Sequence, residues 1–110
     1  MKRTTTHPGF PSPCCTLSIT GADEQRLVRL LKAAGNPTRF SILKFLVTHQ
    51  GCITGDIVDV LPLAQATVSQ HLAVLREAGW VVGTTTGPAT CYELDAATVG
   101  WFRERVAEIF

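Results

Sequence analysis

Residues 61–81 read "LPLAQATVSQHLAVLREAGWV". Within this stretch Val68, His71, Leu72, Leu75 and Ala78 recur at the spacing that lines one side of a helix, and Gly79 supplies the residue that closes it. Just before, Pro62-Leu63-Ala64 leaves room only for a tight turn. Upstream of the break, Ile57, Val58, Val60 and Leu61 form a short apolar helix that Pro62 stops. Two helices joined by so few residues predict a helix-turn-helix.

Residues 80–94, "WVVGTTTGPATCYEL", hold two β-rich runs, Trp80–Val82 and Thr90–Leu94, around a Thr/Gly/Pro turn. That pattern predicts a hairpin, which after such a helix pair is a wing. Toward the amino terminus, Leu27, Leu30, Leu31 and Ala34 share one helical face ended by Gly35. Asn36-Pro37 then caps a second helix whose stripe is Phe40, Leu43, Leu46 and Val47, running to about His49. Cys52 falls at or just before the amino end of the third helix. Asp95 caps a last helix in which Val99, Phe102, Val106 and Ile109 repeat, with Trp101 and Phe110 adding apolar surface beyond what one-sided packing needs. Residues 1–22 carry Pro8, Pro11, Pro13, Gly9 and Gly21 without periodicity and read as a flexible, cysteine-bearing arm. The expected division is arm 1–22, winged helix-turn-helix 23–95 and C-terminal dimerisation helix 96–110, a mainly α fold with a β-hairpin wing (α+β).

One hundred and ten residues suffice for one domain, and 45% hydrophobic against 17% charged residues argues for a folded chain that buries surface by self-association. A net charge of +1 gives no global basic signal, so nucleic-acid binding must come from how charge is placed. The start, Met1 to Gly9, lacks the apolar run of a secretory signal, and no stretch reaches the length of a membrane span. A soluble, cytoplasmic protein without a membrane partner is expected. In that compartment Cys14, Cys15, Cys52 and Cys91 are expected as thiols, which moves metal binding or redox chemistry up the list.

The segments "LKAAGNPTRFSIL" (residues 31–43) and "LPLAQATVSQHLAVLREAGWV" resemble the ArsR/SmtB family of metal-responsive winged-helix repressors, across residues 27–94. The joint match of the N-P-T-R helix start, T-V-S-x-H-L and L-R-E-A-G carries the resemblance. "PCCTL" (residues 13–17), with a cysteine just before the third helix, is similar to an arsenical-resistance branch whose thiols come from those two places. The resemblance implies a homodimeric repressor on double-stranded operator DNA that is not an enzyme. It also implies that the arm of one subunit reaches Cys52 of the other.

A recognition helix projects short polar side chains into the major groove while its apolar side holds it on the domain. Opposite Val68 and Leu72 lie Ala66, Ser69, Gln70 and Ala73, flanked by Gln65 and Thr67. Gln65 and Gln70 suit adenine edges, and Thr67 and Ser69 suit bases or phosphates. Polar residues on an exposed helix are by themselves merely solvated; together with the resemblance they become the expected DNA contacts. His71, on the inward stripe, is expected to brace the helix rather than to bind metal. The wing departs from the family's basic pattern, since no Lys or Arg occurs between Arg76 and Arg103. Arg39, Lys44 and Arg76 are the expected substitutes at phosphates, with a shallow salt dependence.

Soft, thiophilic ions favour thiolates, and trivalent arsenic or antimony takes three sulfurs in a pyramid. Cys14 and Cys15 converge on one ion only if the backbone bends between them, which an irregular arm permits. Cys52 brings the third sulfur from a firmer position beside a helix end. Zinc or cadmium is the alternative, with His7, His49, Asp56 or Asp59 completing a tetrahedral zinc site. Cys91 is expected to be filler. The expected function is release of the operator on metalloid binding at Cys14, Cys15 and Cys52. A redox-sensing repressor of the same fold and, from a different class, a thiol-dependent enzyme are the alternatives; no Cys-x-x-Cys and no base beside Cys14 or Cys15 favours the enzyme.

Overall fold

The computed structural model describes residues 21–49 and 52–110. The expected arm, with Cys14, Cys15 and His7, lies outside the described residues apart from Gly21 and Ala22. Five helices and a small sheet follow in the order α1 (Ala22–Ala34), α2 (Pro37–Thr48), β1 (Cys52–Ile53), α3 (Thr54–Val60), α4 (Gln65–Ala78), β2 (Val81–Thr86), β3 (Ala89–Leu94) and α5 (Ala96–Ile109). The helices start and stop where local chemistry tells them to. Asn36 Oδ1 accepts from the Thr38 and Arg39 amides at 2.9 and 3.0 Å, with Pro37 at the first helical position of α2. Asp95 likewise caps α5 through the Ala97 and Thr98 amides. Gly79 ends α4 with φ of +106°, and its N–H donates to the Leu75 and Arg76 carbonyls. Only glycine holds that left-handed turn without a steric penalty.

The core forms where α1, α2, α3 and α4 face one another. Leu30, Ile42, Leu46, Ile57, Leu72 and Leu75 are completely buried; each contributes about 1.5–3 kcal/mol relative to exposure. Trp80, placed in the first strand by the sequence pattern, instead enters this core at 7% exposure. Its Nε1 donates to the Leu30 carbonyl at 2.8 Å, and its ring lies tilted on Phe102 with centroids 4.9 Å apart. One side chain thus ties α1, the start of the hairpin and α5 together.

Two expected stripes shift. In α1 the buried face is Leu27, Leu30 and Ala33, while Leu31 is 48% exposed; in α2 it is Ile42, Leu43 and Leu46, while Phe40 and Val47 are 53% and 62% exposed. Both helices carry more apolar residues than one face can use, and the surplus opens an apolar groove between α1, α2 and α5 of about 400 Å³.

The sheet is longer and wider than the sequence pattern predicts. The Thr84-Thr85-Thr86 run, expected in the turn, extends β2, as β-branched residues favour, and Gly87 at φ of +63° takes the turn. β2 pairs antiparallel with β3 from Val81–Leu94 to Thr86–Ala89. β1, which the pattern did not predict, pairs with the other edge of β3 and gives the strand order β1-β3-β2. Gly83 stands opposite Tyr92, whose ring would lie only 3.1 Å from an added Cβ. No helix among the described residues is long and apolar enough to cross a membrane.

Candidate nucleic-acid interface

The turn between α3 and α4 is closed by the Leu61 N–H on the Ile57 carbonyl and the Leu63 N–H on the Leu61 carbonyl, 3.1 and 2.8 Å. It sets α4 against α3 with Val68, Leu72 and Leu75 turned inward and completely buried. Gln65, Ala66, Ser69 and Gln70 are exposed, and Thr67 and Ala73 are half-buried. Ser69 and Gln70 thus lie on the face away from the buried stripe, with Gln65 exposed and Thr67 half-buried at its flanks, all four within the first turns of one helix. At its start, Ala64 offers no side-chain cap, which leaves the first-turn amides open to an acceptor.

His71 is half-buried, and Arg39 holds it there: Arg39 Nη1 lies 3.4 Å from His71 Nδ1, and Arg39 Nε donates to the Ala33 carbonyl at 2.7 Å. Arg39 therefore ties α1 and α2 to α4, and its Nε and Nη1 are engaged within the domain. Its position at the start of α2 marked it as cationic but not as engaged. Lys44 lines the apolar groove, and Arg76 is exposed near the end of α4. The hairpin presents hydroxyls rather than cations, with Thr84 and Thr85 exposed and Thr85 Oγ1 3.5 Å from Thr90 Oγ1.

Of the thiols, Cys52 opens β1, paired in register with Tyr92, and the chain passes from Ile53 into α3 without a linker. Cys91 is half-buried in β3, in register with Ile53 and Thr84. Cys14 and Cys15 lie outside the described residues, so the three expected ligands are not brought together among them. His49 stacks on Phe45 at 4.2 Å, with Nδ1 2.8 Å from Thr48 Oγ1 and 3.1 Å from the Phe45 carbonyl. Asp56 and Asp59 are exposed on α3. Among the described residues no cluster of three His, Cys, Asp or Glu side chains has the arrangement of a metal site.

A helix pair whose second member shows a short polar face, followed directly by a hairpin, defines a winged helix-turn-helix. A family described as "Bacterial regulatory protein, arsR family" matches residues 36–81. Over 87 residues the chain is 37% identical to the HTH-type transcriptional repressor SmtB of Mycobacterium tuberculosis (strain CDC 1551 / Oshkosh), covering 79% of this chain and 60% of that one. The chain thus spans about three fifths of that relative's length. The crystal structure of a possible transcriptional regulator for arsenical resistance superposes with a TM-score of 0.66 at 28% identity, covering 74% of this chain and 83% of that one. HlyU from Vibrio cholerae N16961 superposes with a TM-score of 0.67 at 30% identity, covering 83% and 98%. The chain belongs to the arsR family of bacterial regulatory proteins. The SmtB relative is described as a transcriptional repressor and the arsenical-resistance structure as a possible transcriptional regulator.

Proposed function

We propose that this chain is a cytoplasmic, homodimeric transcriptional repressor that leaves its operator when trivalent arsenic or antimony binds Cys14, Cys15 and Cys52. The observation that carries the DNA reading is the exposed polar face of α4 set by the buried Val68, Leu72 and Leu75. Gln65 and Gln70 read base edges, Thr67 and Ser69 take bases or phosphates, and the open amides of the first turn take a phosphate. The apolar groove beside α5, with Leu31 and Phe40 at its edge, supports a second copy as partner and α5 as a dimerisation helix. A symmetric dimer sets its two α4 helices about 34 Å apart to match successive turns of DNA.

The effector reading rests on donor chemistry and on placement. Three thiols suit a trivalent metalloid, which supplies a pyramidal centre that draws sulfurs together. Cys52 stands on a strand anchored to β3 and continuous with α3, the helix against which α4 packs. Movement at Cys52 is therefore felt at α4, and ligand and operator oppose each other by about 1–3 kcal/mol, as reciprocal linkage requires. X-ray absorption on the arsenite-loaded protein tests the ligand set: three sulfurs around arsenic in the wild type and two in Cys52→Ser are expected. An unchanged count in Cys52→Ser removes Cys52 from the site.

A redox reading draws on the same thiols and on the description of a reduced form of HlyU, 31% identical to this chain. Operator release by peroxide without metalloid, lost in Cys14→Ser, separates it from metalloid capture.

A further inference from the structure

On the side of the domain where α1 and α2 meet the C-terminal half of α4, a groove of about 390 Å³ is lined by three cations, Arg29, Lys32 and Arg39. Its apolar lining is Ala33, Val74 and Ala78, and Glu77 is the one acid among the lining residues. Arg29 and Lys32 are exposed, and among the described residues no ion pair ties either to a carboxylate. Arg39 is already fixed by the Ala33 carbonyl and His71, which holds its planar guanidinium in place at no further ordering cost when a ligand arrives. The groove is open to solvent, and its apolar floor beside three cations offers separate partners to the charged head and the apolar body of an anion. The surplus of positive charge in a chain whose net charge is only +1 sets the sign of what it takes.

We propose that this groove binds a small organic anion, with a carboxylate or phosphate head against Arg29, Lys32 and Arg39 and an apolar body against Ala33, Val74 and Ala78. Forked guanidinium donors match the two oxygens of such a head. The ligand would rest on α4 itself, so occupancy also alters operator affinity. That second statement depends on the DNA reading given above, whereas the binding site does not.

Benzoate and inorganic phosphate, titrated separately into the DNA-free protein and followed by amide chemical shifts, provide the test. Saturable shifts around Ala33, Val74 and Ala78 are expected, tighter for benzoate than for phosphate. A loss of at least tenfold in benzoate affinity is expected in Arg29→Gln/Lys32→Gln, whose exposed positions leave folding intact. Absence of saturable benzoate binding overturns the proposal, as does equal affinity in the double variant or phosphate binding without benzoate. If the double variant instead loses operator affinity and its salt slope falls by about two charges per subunit, the groove seats DNA phosphates and the small-anion assignment fails.

Discussion

Replacing Trp80 by Phe removes the indole N–H that reaches Leu30 while keeping an aromatic ring over Phe102. The lost hydrogen bond is worth about 1 kcal/mol, at the lower end of the cost of an abandoned acceptor because the Leu30 carbonyl lies within the α1 ladder. Aromatic side chains bury about 150–250 Å² from smallest to largest. The exchange therefore uncovers on the order of 50 Å², worth about 1.2 kcal/mol at about 25 cal/mol per Å². The sum, about 2 kcal/mol, lowers the ratio of folded to unfolded protein roughly thirtyfold. Urea denaturation followed by far-ultraviolet circular dichroism measures it, at one protein concentration because a dimer's stability depends on concentration. A loss below about 0.5 kcal/mol would refute the conclusion that Trp80 locks α1 to the hairpin and α5.

Three further outcomes are expected. Gly79→Ala places a Cβ at φ of +106° and costs about 1–2 kcal/mol in the same denaturation assay; no loss would mean that the α4 exit relaxes freely. Gln70→Ala removes an exposed amide from α4 without touching its buried stripe. It weakens operator binding by about 1–3 kcal/mol while leaving thermal stability unchanged, and equal affinity would take Gln70 out of the interface. Because the wing offers Thr84 and Thr85 in place of cations, Thr85→Lys should steepen the salt dependence of operator binding by about 0.9 per phosphate newly contacted. An unchanged slope would place the wing away from the backbone.

Features written in local chemistry were legible in the sequence. Asn36-Pro37, Asp95 and Gly79 mark helix ends because each acts on amides or carbonyls within four residues of itself. The α4 stripe was legible because only one of its faces is apolar, and that same asymmetry exposed the polar face. Long-range pairing was not. β1 is two residues long and exists through its register with Tyr92 and Cys91, some forty positions away, so neither propensity nor period announces it. Phe40 and Val47 misled because α2 is apolar on more than one side, and period alone does not say which side meets the core. Arg39 carries the charge of a phosphate contact, but its partners, the Ala33 carbonyl and His71, come together only in the folded domain.

In the proposed repressor, metalloid at the thiols and DNA at α4 oppose each other through one domain. Arsenite titrated into the complex of the reduced protein with fluorescent operator DNA, followed by anisotropy, tests it most directly. Release is expected in the wild type, with a complex that persists in Cys52→Ser at the same arsenite concentration; a wild-type complex that stays bound at saturating arsenite would overturn the proposed coupling.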